Sequence, residues 1–363
     1  MKPFAAILFA GICLIFAAPS SYAEVAVGNC RPHLVSYSTI SEAVAAVPAN
    51  STVLVCPGIY PEQVIITRPL TLKGLNQGPA SKVVITVPAG GVLPSSGEAE
   101  QLSVQGTDSP AFGPVNISNL VVDGAASGVD CSTASLVGID YQYSSGSLDN
   151  VEVRNQNPGG CGSGIMIIGS PFVETNTVTI RNSSIHEFDD TGVLAISGGG
   201  TGFQVNLTSS LVESANNSVQ AGVDYEFTYG TVARNTISVA GQFGMLLENF
   251  FGSMTISDNT IIGSNVGIFS GSGEGANAIT HNNLSNNSTG ILVSGLQGSP
   301  VVKSNTIVDS STAAIDVDCS QKTTAENNII FGSPIGIANV SSGDTVGRNA
   351  LYSVAVATTP CRN

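Results

Sequence analysis

The sequence predicts an all-β fold, a single-stranded right-handed parallel β-helix (solenoid) with a short N-terminal capping helix. Two motifs repeat about every 23 residues through the C-terminal half, and no helical periodicity accompanies them. Glycine is frequent, at 41 of 363 residues, as expected where short strands alternate with sharp bends. A repeat of this length forms one turn of a coil, so the whole chain after its leader is predicted to be one solenoid.

The first motif is an asparagine followed by a small or polar residue and then Ile or Leu. Successive asparagines are 24, 23, 23, 22 and 22 residues apart, at Asn235, Asn259, Asn282, Asn305, Asn327 and Asn349. The second motif is Gly or Ala before an aliphatic residue. Neighbouring turns pair in parallel about 4.8 Å apart, so the aliphatic residues of this motif should stack in one inward column. The column consists of Val223, Met245, Ile268, Ile291, Ile315 and Ile337. Asparagine tolerates left-handed backbone and bonds from turn to turn, which predicts a structural role.

The ends of the chain differ from the repeats. Residues 1–23 have the charge and apolar run of a secretory signal peptide. We divide residues 24–363 into an N-terminal cap with the first turns (24–115), the repeats (116–351) and an irregular tail (352–363). The Thr39–Glu42 segment predicts a capping box that begins the capping helix. Residues 91–114, rich in Gly, Ser and Pro, are predicted to be a loop.

Composition narrows the compartment and the partners. The formal net charge is −14 and charged residues make up 10% of the chain, so nucleic acid is an unsuitable partner. After removal of the signal we expect no membrane insertion and a secreted, extracellular or periplasmic location. Six cysteines remain, which predicts three disulfides. Sequence proximity favours the pairs Cys30–Cys56, Cys131–Cys161 and Cys319–Cys361 among 15 pairings.

Parts of the sequence resemble the pectin-lyase-like superfamily of right-handed β-helices. Residues 39–44, 53–60 and 70–74 look like the opening of pectin methylesterases and of periplasmic β-helix proteins, and residues 116–351 look like generic β-helix repeats. The resemblance implies the fold and a polysaccharide as the class of ligand. The Asp-Phe-Ile-Phe-Gly and Gly-Arg-Pro-Trp segments of pectin methylesterases are absent from the sequence, which contains no tryptophan.

The candidate site is the segment from Asp224 to Phe251. If Val223 and Met245 point inward, then Asp224, Glu226 and Glu248 point outward, and Glu226 and Glu248 occupy neighbouring turns about 4.8 Å apart. Close carboxylates raise one pKa and produce an acid–base pair. Tyr225, Phe227 and Phe250 are candidate substrate-binding residues, since aromatic faces beside carboxylates suit a sugar. The alternative is that these aromatics fill the core and that the glutamates are solvated.

Two functions therefore fit the sequence. One is a secreted carbohydrate-binding protein that binds a pectin-like or other extracellular polysaccharide. As an enzyme, it would be a polysaccharide hydrolase or a lyase, which cleaves by elimination. The other is a non-catalytic cell-surface or matrix scaffold or adhesion protein, in which an apolar outward column mediates self-association. No cofactor or metal site is predicted. The acidic composition would suit Ca²⁺, but no full set of Ca²⁺ ligands is visible.

Overall fold

The computed structural model describes residues 23–363 except 77, 79–80, 108–111, 171–175, 199–202, 249–251, 272, 274–276, 296–297, 320–321 and 362–363. Within the described part, the strands form three long parallel sheets, A, B and C. The chain visits A, B and C in turn, and one strand from each makes one rung of a coil. The predicted parallel β-helix is confirmed. The signal-peptide prediction lies outside the described residues, except for Ala23.

Sheet A contains 14 strands, which start at the N-terminal edge with the pair β2 and β1. Its strands, in spatial order, are β2 (Val35–Tyr37), β1 (Glu24–Val27), β3 (Ser51–Val55), β6 (Leu70–Gly74), β9 (Val115–Ser118), β12 (Gly146–Asp149), β15 (Thr177–Arg181), β18 (Gln204–Thr208), β21 (Tyr229–Ala233), β24 (Met254–Ser257), β27 (Ala278–Thr280), β30 (Val301–Lys303), β33 (Thr324–Glu326) and β36 (Thr345–Gly347).

Sheet B contains 12 strands. They are β4 (Gly58–Pro61), β7 (Val83–Thr86), β10 (Val121–Asp123), β13 (Glu152–Gln156), β16 (Ser184–Phe188), β19 (Leu211–Ser214), β22 (Thr236–Val239), β25 (Thr260–Ile262), β28 (Asn283–Ser285), β31 (Thr306–Val308), β34 (Ile329–Phe331) and β37 (Ala350–Tyr352).

Sheet C also contains 12 strands. They are β5 (Val64–Ile66), β8 (Glu98–Gln105), β11 (Ser135–Gln142), β14 (Gly162–Gly169), β17 (Thr191–Ser197), β20 (Ala221–Glu226), β23 (Phe243–Glu248), β26 (Val266–Gly271), β29 (Thr289–Ser294), β32 (Ala313–Asp316), β35 (Ile335–Val340) and β38 (Val356–Pro360).

Two of these strands lie where the sequence analysis expected irregular chain. Strand β8 occupies the centre of the predicted loop 91–114, and β38 occupies the predicted irregular tail 352–363. In β8, Leu102 and Val104 point into the core, but polar residues surround them and hide the alternation. Strand β38 pairs with β35 and is mostly exposed, so it lacks the apolar pattern of an interior strand.

The core is a stack of aliphatic columns inside the coil. The pairing of sheet C strands places Val223, Met245, Ile268, Ile291, Ile315 and Ile337 opposite one another. Each is at most 1% exposed. The inward column predicted from the glycine motif is therefore confirmed, and it fixes which residues of sheet C face outward.

The repeating asparagines form a buried ladder at the corner between sheets A and B. The backbone N–H of Asn259 donates to Oδ1 of Asn282 at 3.0 Å, and the N–H of Asn282 donates to Oδ1 of Asn305 at 2.9 Å. Asn328, not Asn327, continues the ladder. The left-handed conformation belongs to the residue before each ladder asparagine, as at Asn327 with φ 58°. Hydrogen bonding across rungs, rather than backbone conformation, thus accounts for the motif.

The N-terminal region contains one helix, α1 (Ile40–Ala46), within the described residues. Thr39 Oγ1 accepts a hydrogen bond from the N–H of Glu42, as expected of an N-cap. The Glu62 carboxylate accepts from the N–H groups of Ile40 and Ser41 at 2.8 Å. The buried side chains of Ile40, Ala43 and Val44 belong to the main hydrophobic core.

The three disulfides join Cys30 with Cys56, Cys131 with Cys161 and Cys319 with Cys361. These are the pairs that sequence proximity favours. Each bridge links chain segments on neighbouring rungs or at an end of the coil. Among the residues that the structure describes, no helix has the length and apolarity needed to cross a membrane.

Candidate functional site

The outer face of sheet C carries the candidate site, and its strand register defines two columns. The central column contains Ser103, Asp140, Met166, Leu194, Asp224, Leu246, Phe269, Leu292 and Asp316. The lateral column lies two residues further along each strand and contains Gln105, Gln142, Ile168, Ile196, Glu226 and Glu248. Neighbouring members of a column lie on strands about 4.8 Å apart.

The three predicted catalytic carboxyl groups do lie together on this face. Glu226 of β20 pairs in register with Glu248 of β23, and Asp224 precedes Glu226 by two residues on the same strand. Asp224 points outward, yet it is only 2% exposed, whereas both glutamates are partly exposed. Carboxyl groups of different burial therefore sit side by side, which is the arrangement that gives them different proton affinities.

Burial dominates the titration of Asp224. Desolvation, followed by the charges of Glu226, Glu248 and Asp190, raises the pKa of Asp224 to about 7. Desolvation and the charge of Glu226 also raise the pKa of Glu248. Asp224 Oδ1 finds no hydrogen-bond partner within the described part of the chain. A carboxyl group that holds its proton near neutral pH can donate that proton to a bound ligand.

The predicted aromatic residues do not form a platform beside these carboxylates. Tyr225 points into the coil and is fully buried, so it cannot contact a ligand on the outer face, and its assignment to substrate binding is wrong. The reason is parity, because residues between two outward positions of a strand face inward. Phe227 follows β20 in left-handed conformation, with φ 53°, and is partly exposed. Phe250 lies outside the described residues.

A second carboxyl cluster on the same face was not predicted. Asp140 is fully buried in the central column, and Glu98 and Glu100 of the preceding strand β8 lie near it. Desolvation and the charges of Glu100 and Glu98 raise the pKa of Asp140 to about 8. The signal was available in the sequence, since Gly138-Ile139-Asp140 has the spacing of Gly222-Val223-Asp224.

Two further aspartates beside the face have different roles. Asp189 is buried, and its carboxylate accepts hydrogen bonds from the backbone N–H groups of Gly159, Gly160 and Gly162 at 2.6–2.7 Å. It therefore holds the connection that leads into β14. Desolvation and the charge of Asp189 raise the pKa of Asp190, although a hydrogen bond from Ser163 opposes this.

Two of the five apolar members of the central column are buried by the chain itself. Met166 is 5% exposed and Leu246 is 6% exposed. Phe269 packs against Phe243 edge to face, with ring centroids 5.7 Å apart. The outward apolar column therefore alternates between buried members and the partly exposed Leu194, Phe269 and Leu292.

Sheet B carries a different polar network, in which the charges satisfy one another. Arg154 pairs with Asp123 at 2.9 Å and with Glu152 at 2.8 Å, and His186 lies 3.5 Å from Glu152. A surface cavity of about 370 Å³ beside it is lined in part by His186 and Glu213. Because these ion pairs are mutually compensated, we place the candidate site on sheet C, where buried carboxyl oxygens lack partners.

Comparison with solved structures identifies the fold. A search of curated proteins finds no match. The chain is similar to a thermostable GH87 α-1,3-glucanase catalytic unit from Streptomyces thermodiastaticus, with TM-score 0.54 and 15% identity over 95% of this chain and 70% of that one. It is also similar to pectate lyase Pel9A, with TM-score 0.53 and 17% identity over 91% and 80% of the two chains. The Dettilon tailspike protein gives TM-score 0.51 and 16% identity over 84% and 62%. The chain has the parallel β-helix fold of these proteins.

A family model described as "Periplasmic copper-binding protein (NosD)" matches residues 195–359 of this β-helix protein. Copper sites use imidazole, thiolate or thioether ligands. In that segment the sequence offers one histidine, His281, while Met245 and Met254 are buried in the core and Cys319 is in a disulfide. The described residues contain no cluster of three or more His, Cys, Asp or Glu that could hold a metal ion. The residues of the segment therefore do not fit a copper site.

Proposed function

We propose that this protein binds an extracellular polysaccharide along the outer face of sheet C and hydrolyses it with Asp224, Glu226 and Glu248. The observation that carries the proposal is the buried Asp224 carboxyl group, with a pKa of about 7 and a partner-free oxygen, beside two partly exposed glutamates. The polysaccharide-acting enzymes with the same fold add support by analogy.

The chemistry divides between a proton donor and a base. Asp224 is the group that holds a proton near neutral pH, so it would protonate the leaving glycosidic oxygen. Glu226 and Glu248 lie within one rung of it, and the one that is ionised would activate water or attack the anomeric carbon. Glycosidases need such a pair of carboxyl groups whose environments separate their pKa values.

The test compares Asp224→Asn, Glu226→Gln and Glu248→Gln with the wild-type protein on a panel of neutral and acidic polysaccharides. Reducing-end release and binding are measured separately. Asp224→Asn and the substitution of the ionised glutamate should each lower kcat by about 10²–10⁴-fold, the usual contribution of a general acid or base, while binding is largely retained. Asp316→Asn is the matched control, since Asp316 occupies the same column four rungs away.

The outcomes separate the two halves of the proposal. Unchanged hydrolysis in all three variants would show that the reaction occurs elsewhere. Binding without any product from the wild-type protein would reject catalysis and leave a carbohydrate-binding protein. The scaffold alternative rests on Leu194, Phe269 and Leu292, the partly exposed members of the central column. Concentration-dependent self-association without glycan binding would support it.

We further propose that residues 1–23 direct secretion and are removed, so that the protein acts in the periplasm or outside the cell. The three disulfides support an oxidising compartment. We also propose that α1 closes the N-terminal end of the coil, supported by its buried face and its hydrogen bonds to Glu62.

A further inference from the structure

Charge is divided unevenly among the three sheets. The strands of sheet C contain acidic residues and no Lys, Arg or His. The acidic residues are Glu98, Glu100, Asp140, Asp224, Glu226, Glu248 and Asp316. Every basic residue between positions 70 and 321 belongs to sheet A, sheet B or a connection between them. These are Lys73, Lys82, Arg154, Arg181, His186, Arg234, His281 and Lys303.

Three of the seven carboxyl groups of the sheet C strands are buried in the face, and the other four are partly exposed. Asp140 is 0% exposed, Asp224 is 2% exposed and Glu100 is 4% exposed. In both aspartates Oδ1 lacks a hydrogen-bond partner within the described residues. Buried polar atoms are normally satisfied, so two orphan oxygens in one outward column point to a ligand that supplies their partners.

The two orphan oxygens mark the ends of one continuous strip. Asp140 and Asp224 are three rungs apart in the central column, which corresponds to about 14 Å. Met166 and Leu194 lie between them, and Ile168 and Ile196 flank these in the lateral column. Polar ends and an apolar middle suit a linear sugar chain, which presents hydroxyl groups at its rims and C–H groups on its faces.

Resting on the proposed function, we propose that the ligand of this strip is a glycan that carries no carboxylate, sulfate or phosphate groups. An anionic chain would bring like charges to a partly desolvated acidic face that has no guanidinium or ammonium group to pair with them. A glycan whose polar groups are hydroxyls or amides meets no such repulsion. The raised pKa values of Asp140 and Asp224, about 8 and 7, support this, because protonated carboxyl groups donate hydrogen bonds to such groups.

The experiment uses pairs of polymers that share a backbone and differ in charge. Suitable pairs are methyl-esterified homogalacturonan with polygalacturonate, hydroxyethyl-cellulose with carboxymethyl-cellulose, and dextran with carboxymethyl-dextran. Binding to the full-length protein is measured at low and high salt, in EDTA and with added Ca²⁺. In every pair that binds, we expect the uncharged member to bind at least tenfold tighter at low salt, and the difference to narrow as salt screens the repulsion.

Variants locate the selectivity. Glu98→Gln combined with Glu100→Gln should strengthen binding of the charged member several-fold and leave the uncharged member unchanged. Glu213→Gln, which removes one acidic side chain from sheet B, should change the binding of neither member and so controls for the loss of charge away from sheet C. Asp140→Asn should weaken binding of the uncharged member, because the ligand supplies the partner of the Asp140 carboxyl group.

Different binding results would contradict the preference for an uncharged glycan and the proposed polysaccharide binding. The inference would be overturned if polygalacturonate bound more tightly than its methyl ester, with or without Ca²⁺, and if Asp140→Asn or Asp224→Asn abolished that binding. Polysaccharide binding itself would then stand. If no polymer binds in either form, the proposed function itself fails. The inference would also be overturned if Glu213→Gln changed the preference for the uncharged polymer as much as the sheet C variants do.

Discussion

Asp140 and Asp224 are aspartates that the fold keeps away from water without giving both oxygens a partner. The Asp140 carboxyl group accepts a long hydrogen bond, 3.5 Å from Ser103 Oγ to Oδ2, and it also has a hydrogen bond with Gln142. Both hydrogen bonds oppose the rise in the pKa of Asp140 without cancelling it. A buried carboxylate is costly, so the group retains its proton instead. Folding therefore becomes dependent on pH through these residues.

The pH dependence can be isolated at Asp140. Its pKa rises from 3.8 to about 8, so between these values the folded protein holds a proton that the unfolded chain has lost. This contribution is fully present below pH 3.8 and is lost as pH rises to about 8, with a limiting slope of about 1.4 kcal/mol per pH unit. Asp140→Asn should therefore gain free energy of unfolding relative to wild type as pH rises from 4 to 8, measured by urea denaturation.

Asp130 supplies a control of opposite sign. It is exposed, and hydrogen bonds from Ser132 lower its pKa. The stabilisation from Asp130 is therefore lost as pH falls. The free energy of unfolding of Asp130→Asn should not rise relative to wild type as pH rises. Parallel pH profiles for wild type and Asp140→Asn would contradict the assignment of a buried proton to Asp140.

The sequence predicted part of this site. The spacing of the glycine motif placed Asp224, Glu226 and Glu248 on one outward face, and the structure has them there. It did not predict that Asp224 is buried, because burial depends on connections and neighbouring rungs that the motif does not describe. Tyr225 lies inside the coil because strand parity, and not the local concentration of aromatic residues, decides which side of the sheet a residue faces. Asp140 was missed because its rung lies outside the evenly spaced repeats.

At the scale of one element, the asparagine ladder ties neighbouring rungs together. Asn282 accepts from the backbone N–H of Asn259 at 3.0 Å and from its side-chain nitrogen at 2.9 Å. Its own Nδ2 donates to the Ile256 carbonyl oxygen and to Asn305 Oδ1, both at 3.0 Å. Since Asn282 is fully buried, each of these groups depends on the ladder and not on water.

Asn282→Ala should therefore leave buried donors without acceptors. We expect a loss of roughly 3 kcal/mol in the free energy of unfolding, since each unsatisfied buried group costs about 1–3 kcal/mol. In hydrogen exchange the Asn259 amide should lose protection, while the Asn235 amide, which donates to Asn259 Oδ1, should keep it. The adjacent Asn283, which is exposed, gives Asn283→Ala as the matched control. Equal effects of the two substitutions would show that the ladder is not stabilising.

At the scale of the whole molecule, the fold was predictable because one local pattern repeats. Each rung contacts its neighbours, so the Gly-aliphatic spacing was enough to assign inner and outer faces for many rungs at once. The exceptions are β8 and β38, whose few inward residues are set among polar or exposed ones. These strands are formed by pairing with a neighbouring rung rather than by their own sequence pattern.

Because each rung is stabilised mainly by the rungs beside it, the loss of a disulfide should affect only the strands near that disulfide. Cys361 follows β38, the outermost strand of sheet C, which pairs on one side with β35 alone. Replacing Cys319 and Cys361 by Ser removes the covalent link that holds this strand, so the amides of residues 356–359 should exchange at least tenfold faster while those of β20 and β23 do not change. Replacing Cys131 and Cys161 by Ser is the comparison, because the adjacent strands β11 and β14 are each paired on both sides. Those strands should keep their protection. If both double variants instead lose protection evenly along the chain, the coil unfolds as one cooperative unit and the nearest-neighbour description does not hold.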